Sequence, residues 1–196
     1  MLRPIIMIGC GGAGNKVVRY ARDAVVRRLK EAGWDQGVPH AWQFIGVDSH
    51  GSLDDPSIPF LPQSDFVNLA NQFNSYQMLN YAIEAMFGLH NQQANQFQEL
   101  IGWRPNPYGI DIPLRDSSGQ FRSVGRIAAL LSMQRHLQDR IREAFQSCEE
   151  GGGELSNVSR ALGVEVPPGQ PVSNPIVMVV GSIAGGDWLR NHVGCH

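Results

Sequence analysis

Lysine is almost absent from this chain of 196 residues: of its sixteen basic side chains only Lys16 and Lys30 are lysines. Charged residues make up 17% of the whole and the net charge is −2, which excludes a bulk electrostatic grip on nucleic acid or anionic lipid. Cysteine is scarce too. Cys10, Cys148 and Cys195 are an odd number at unrelated spacings, so no disulfide framework is expected and a reducing compartment is favoured. Long apolar runs are missing: Met1-Leu-Arg-Pro4 leads into only four apolar residues, Ile5 to Ile8, too few for a signal-peptide core or a membrane span. A cytoplasmic location is the expectation. What is plentiful is glycine, with 22 residues, and the 12 prolines cluster with them between periodic segments, as in a loop-rich folded domain. The length and the 42% hydrophobic content suit one large domain with a core.

The periodicity predicts an α/β fold. Ile5 to Ile8 reads as a strand buried on both faces, and the turn Gly9-Cys-Gly-Gly-Ala-Gly14 follows it. A helix comes next, with Val17, Val18, Ala21, Val25 and Leu29 on one side and Arg19, Arg22, Arg27 and Arg28 on the other, until Gly33 stops it. Trp42 to Val47 is a second strand ending at Asp48. Strand, glycine loop, helix and strand in that order open a sheet whose strands should be parallel.

Beyond Ser49 the chain is turn-rich to Pro62, then weakly charged and helical from Asp65 to Leu100, most clearly at Gln77 to Phe87. The polar stretch Asn91 to Gln98 is read as ordinary helix and not as a prion-like segment, and Trp103 to Gly119 as loop. Ser123 is the expected N-cap of a long helix reaching Glu149, with Ile127, Leu130, Leu131, Leu137, Ile141, Phe145 and Cys148 on its apolar stripe and Gly151-Gly-Gly153 ending it. After a polar, Pro-rich linker, Ile176 to Val180 is a third buried-strand candidate, running into Gly181-Ser-Ile-Ala-Gly-Gly186.

A glycine loop between strand and helix lets backbone N–H groups approach an anion, and the helix N-terminus adds partial positive charge. Gly9, Gly11 and Gly14 satisfy G-x-G-x-x-G in that context, a weak signal alone. Asn15-Lys16 stands where a Walker loop requires Lys and then Ser or Thr, so Lys16 reads as a solvated first-turn residue. In a dinucleotide-binding unit Asp48 would take ribose hydroxyls, although it lies 34 residues after Gly14; the alternative is that it caps a turn with Ser49 and Gly51. Cys10 reads as a small packing residue of the loop, since no His or Lys is placed near it to activate a thiolate. His192, Cys195 and His196 are too few, too close to the chain end, for a metal site.

Four strings in order carry a family resemblance. Pro4 to Asn15 is similar to the first nucleotide loop of the tubulin and FtsZ superfamily, Phe44 to Ser49 to its second, Gly119-Gln120-Phe-Arg to Ala129 to its third, and Pro175 to Gly186 to the opening of its signature loop. The wording of the last two resembles the bacterial tubulin-like family more than FtsZ itself. The resemblance implies a three-layer, Rossmann-like parallel sheet and a guanine nucleotide, GTP or GDP, held by backbone N–H groups. Gly9, Cys10, Gly11, Gly12, Ala13, Gly14, Gly181, Ser182, Ala184, Gly185 and Gly186 would form the phosphate loops. Asn15 would lie near the base or ribose; Asp48, Gly119 and Gln120 would lie near the terminal phosphates or their Mg²⁺. Self-association into a filament is the implied partner, with no membrane span.

The likeness breaks at Asp187-Trp-Leu-Arg-Asn-His192, where Gly-Gly-Thr-Gly-Ser-Gly or similar should continue. An Asp repels phosphate at a helix N-terminus, and Trp188 blocks the backbone approach that glycine permits. Encoded as GAC TGG CTC CGG AAT CAT, the same bases read one position later give Thr-Gly-Ser-Gly-Ile, so residues 187–196 are expected to be an out-of-frame tail. On this reading residues 1–186 are a partial nucleotide-binding domain, incomplete at its C-terminus, with 52–110 an insertion-like helical segment. Superfamily hydrolysis draws on acidic residues of a later loop from the neighbouring protomer, so GTPase activity should be weak or absent.

Two other functions compete. A Rossmann-type enzyme could bind NAD or ATP through Gly9 to Gly14 and Asp48, leaving the last two strings unassigned; a degenerate interaction module would bind nothing. Codons for residues 187–190 that fail to give Thr-Gly-Ser-Gly in the shifted frame end the tail hypothesis, and sustained GTP turnover by the purified chain contradicts the weak-hydrolysis expectation.

Overall fold

The computed structural model describes residues 2–49, 56–70, 73–86, 104–110, 113–114, 122–165 and 174–182. Its elements are β1 (Ile5–Cys10), α1 (Gly11–Glu31), β2 (Trp42–Asp48), β3 (Phe66–Asn68), α2 (Tyr76–Met86), α3 (Arg122–Ser132), α4 (Gln138–Glu150), α5 (Gly152–Ala161) and β4 (Ile176–Gly181). They fall into two compact units, one of Met1–Val47, Ser52–Val67 and Leu137–Ser182, the other of Asp48–Gly51, Asn68–His136 and Ile183–His196. No helix among the described residues is long and apolar enough to cross a membrane.

The first unit is built on a parallel sheet of order β3-β2-β1-β4, the α/β arrangement expected. β1 pairs with β2 from Ile5↔Trp42 to Cys10↔Val47 and with β4 from Ile5↔Ile176 to Cys10↔Gly181. Ile6, Met7 and Ile8 are buried at successive positions, which in a strand means that both faces are covered. Met7 and Phe44 meet Val18, Ala21 and Val25 of α1, while Leu29 and Trp34 close on Val158 of α5. α1 ends as Gly33 predicts: that residue has φ +81°, its N–H bonds Lys30 O, and Trp34 N–H reaches Leu29 O at 2.9 Å, a Schellman closure.

The second unit has its own core. Tyr76, Leu79 and Ile83 of α2 pack on Val124, Ile127, Ala128 and Leu131 of α3, with Ala70 and Leu114 filling in. α2 coincides with the expected Gln77 to Phe87 helix to within a residue. The Asn91 to Gln98 reading lies outside the described residues.

Several expectations need correction. α1 begins at Gly11, inside the glycine run and not after it. Arg19 lies on the buried side of α1, only 6% exposed, and Val17 is half exposed. The guanidinium of Arg19 donates to the carbonyls of Ile58 and Pro59 and stacks 4.4 Å from the centre of the Phe60 ring, so a connecting loop supplies what the apolar pattern could not show. β3 was not foreseen, being three residues long.

The long helix starts at Arg122, so Ser123 is not its N-cap. It is interrupted by a π-helical turn, Met133–Leu137. Leu137 at its end and Cys148 beyond it are buried as expected, with Ala144 on the same line, while Phe145, one position off that line, is exposed. Burial pushes the Cys148 thiol up to about 11. Gly151 ends α4, but the neighbouring glycines open α5 where a linker was expected. Arg140 of α4 binds Asp65 Oδ1 at 2.9 Å, Gln43 Oε1 at 2.9 Å and Ser64 O at 3.1 Å, tying this helix to β2 and the turn before β3. Finally, β4 is a strand but not a buried one: it is last in the sheet order, with Ile176, Val177, Met178 and Val179 all exposed.

Replacing Arg19 by Met keeps the buried stem and orphans the two carbonyls, so urea unfolding should show a loss of about 1–3 kcal/mol; an unchanged midpoint would remove Arg19 from the forces holding that loop.

Candidate functional site

In a parallel sheet the strand order 3-2-1-4 reverses direction at one place, between β1 and β4, and ligands of open α/β sheets bind outside the C-terminal ends of strands there. Here those ends are Gly9-Cys10 and Gly181-Ser182, paired as Gly9↔Val180 and Cys10↔Gly181. α1 starts immediately after β1, with its first turn made of Gly11, Gly12, Ala13 and Gly14. The structure thus gathers Gly9, Cys10, Gly11, Gly12, Ala13, Gly14, Asn15, Gly181 and Ser182 at one end of the sheet.

Two glycines make that approach possible. A Cβ on Gly9 would stand 2.6 Å from the carbonyl carbon of Gly14 and 2.8 Å from the amide nitrogen of Asn15, and one on Gly14 would overlap the carbonyl oxygen of Val180. Any side chain at either position would push the helix off the strand ends. Gly11, with φ +72°, turns the chain from β1 into α1, and a Cβ there would meet nothing within 4 Å.

The electrostatics favour an anion. The first N–H groups of a helix lack intrahelical partners; the side chain of the N-cap residue, Cys10, makes no capping hydrogen bond, and the first turn holds no acidic residue. Gly11 and Gly12 are half-buried, and Ala13 and Cys10 are exposed. Cys10 therefore stands at the mouth of the loop instead of packing within it. Lys16, half-buried, shares the first turns of α1.

Asn15 adds a donor. It is 7% exposed, and its Oδ1 accepts a hydrogen bond from Val47 N–H at 3.1 Å. Because that N–H can only donate, the carboxamide orientation is fixed and Nδ2 is the other end; this buried nitrogen has no partner among the described residues. An unpaired buried donor costs about 1–3 kcal/mol, which an acceptor from a ligand would relieve. Gly46, inside β2, makes room for the carboxamide: its Cβ would lie 2.7 Å from Asn15 Oδ1. In the sequence the only trace of this contact is a glycine in mid-strand, which marks a close approach without saying of what.

Asp48 is the last residue of β2, and its Oδ1 accepts from Ser49 N–H at 2.7 Å, with Ser49 Oγ 3.5 Å away. Gly119, Gln120, Ala184, Gly185 and Gly186 lie outside the described residues, as do His192, Cys195 and His196. No group of three or more His, Cys, Asp or Glu able to hold a metal occurs among the described residues.

Neither a curated protein nor a solved structure matches the chain. One family model does, described as tubulin like, and its match runs over residues 6–187, from the second residue of β1 through β4 to Asp187. The glycine-seated helix at the switch point and a family match across nearly the whole chain agree, and the protein belongs to the tubulin-like family.

Proposed function

We infer that this chain binds a guanine nucleotide, GTP or GDP, at the C-terminal ends of β1 and β4. The observation that carries this reading is the first turn of α1: glycine-walled, free of acidic residues, and beside a buried Asn15 whose Nδ2 lacks a partner among the described residues. Its backbone N–H groups and the helix dipole suit phosphate oxygens. Asn15 Nδ2 suits an acceptor on the base or ribose. Every polar group so offered is a donor, which matches a ligand whose phosphates and ribose ring oxygen accept.

Guanine, in preference to adenine or nicotinamide, is drawn from the family. Asp48, Gly119, Gln120, Ala184, Gly185 and Gly186 join the proposed set on the family pattern alone, and Mg²⁺ would be carried by the phosphates. Assembly into a filament belongs to the same proposal. Such an assembly would join copies of this chain or of a longer relative.

Binding of a fluorescent GTP analogue, competed by GTP, GDP, ATP and NAD, tests the reading. Guanine nucleotides should compete at least ~10-fold better than the others, since a ring-edge mismatch of 1.4 kcal/mol already gives that ratio. Ala13→Asp is the informative variant. Ala13 is exposed in the first helical turn, so the new carboxylate should raise the thermal midpoint slightly through the helix dipole while weakening nucleotide binding by ~30-fold or more. Equal competition by ATP or NAD, or an Ala13→Asp chain that binds normally, overturns the assignment.

A further inference from the structure

The second unit contains a groove of about 510 Å³ lined by Phe73, Met78, Tyr81, Pro107 and Tyr108, with Asn80 and Glu84 among its polar members. That volume lies in the range of small-molecule pockets, and the mixture of aromatic walls with a few polar groups is their usual chemistry. The groove belongs to the second unit, around α2.

Its walls are held before any ligand arrives. Gln77, Asn80, Tyr81 and Glu84 recur along α2 at helical spacing and share one face. The loop opposite is pinned to that helix, with Tyr76 Oη donating to Pro105 O at 2.8 Å and Gln77 Nε2 donating to Ile110 O at 3.2 Å. Asn106 closes the turn, its Oδ1 accepting from Tyr108 N–H at 3.0 Å and its backbone oxygen from Gly109 N–H at 3.1 Å. The result is that Tyr108, 93% exposed, is presented by a hydrogen-bonded Asx turn beside Tyr81, itself 69% exposed. Two aromatic rings left in water on a fixed frame are surface for a third ring to cover.

The polar groups choose what that ring must carry. Asn80 is only 5% exposed; its Nδ2 donates to Glu84 Oε1 at 3.1 Å, which fixes the carboxamide, and its Oδ1 is buried with no partner among the described residues. Arg104 also bonds Glu84 Oε1, at 2.6 Å, so both hydrogen bonds of that carboxylate fall on one oxygen. Arg104 is not part of the groove's lining and keeps a buried Nη1 without a partner among the described residues; within the lining itself the unmet polar atom is an acceptor, Asn80 Oδ1. We propose that this groove is a binding site for a flat aromatic small molecule bearing a ring N–H donor, its faces covered by Tyr81 and Tyr108 and its donor received by Asn80 Oδ1.

Indole and benzothiophene have the same shape, and only indole has the donor, so the pair separates stacking from hydrogen bonding. Saturation-transfer NMR on the full chain should show indole binding, with benzothiophene at least ~10-fold weaker because an orphaned buried acceptor penalises the donor-free ring. Asn80→Leu should erase that preference and leave ring binding intact. Tyr108→Ser, at a position too exposed to endanger folding, should weaken both rings and so keeps the test valid if Asn80→Leu unfolds. Equal binding of the two rings, an indole preference surviving Asn80→Leu, indifference to Tyr108→Ser, or binding of neither ring overturns the proposal. A proline-rich peptide that binds where the rings do not would instead identify a peptide-docking groove.

Discussion

The closeness of α1 to the ends of β1 and β4 is the constraint on which the first unit rests. A helix axis ordinarily stands about 10 Å from a sheet it packs on, with side chains between. At Gly9 and Gly14 the backbones touch directly, and the absent Cβ atoms are what permit it. The contact fixes where the helix starts, and that start fixes where its unpaired N–H groups point. It also delivers Asn15 into the space left by Gly46, where the carboxamide closes on Val47. Three glycines and one amide therefore set the geometry of the whole strand-end region, while Val18, Met7 and Phe44 hold it from below.

How much of this could be read beforehand follows from the range of each interaction. β1, α1, β2 and β4 were legible because their apolar runs and glycine punctuation are local, and the parallel order followed from strand-helix-strand alternation. The gathering of Gly9 to Asn15 with Gly181 and Ser182 was legible only through the motif order. Arg19 was misplaced because its acceptors, the carbonyls of Ile58 and Pro59, are about forty positions away and backbone groups leave no trace in composition. Phe145 stands one position off the line of Leu137, Ala144 and Cys148, and residue type alone does not separate two neighbouring positions when the smaller one, Ala144, is the buried one. β4 read as buried from its residue types alone; burial is set by neighbours, and the last strand in the order has a partner on one side.

Polar groups buried without partners are few in folded chains, so each invites an explanation. Asn15 Nδ2 and Asn80 Oδ1 are opposite in kind, a lone donor in one unit and a lone acceptor in the other, each on a carboxamide whose other end is committed to a specific partner. The pairing of a locked end with a free end makes a carboxamide directional, which an exposed Asn is not. The two sites inferred above rest on that directionality.

The wide turn at Met133–Leu137 lets the helices on either side of it keep separate phases. A helix that gains a single residue can absorb it as a bulge without breaking, and the two halves then keep their own hydrophobic phases. Leu131 of α3 belongs to the core formed with α2, and Ala144 of α4 is buried in the other unit. The bulge thus falls where the chain passes from one compact unit to the other. Deleting one residue from this turn would rotate one half by about 100° against the residues it buries, whereas exchanging residues within the turn leaves both phases in place.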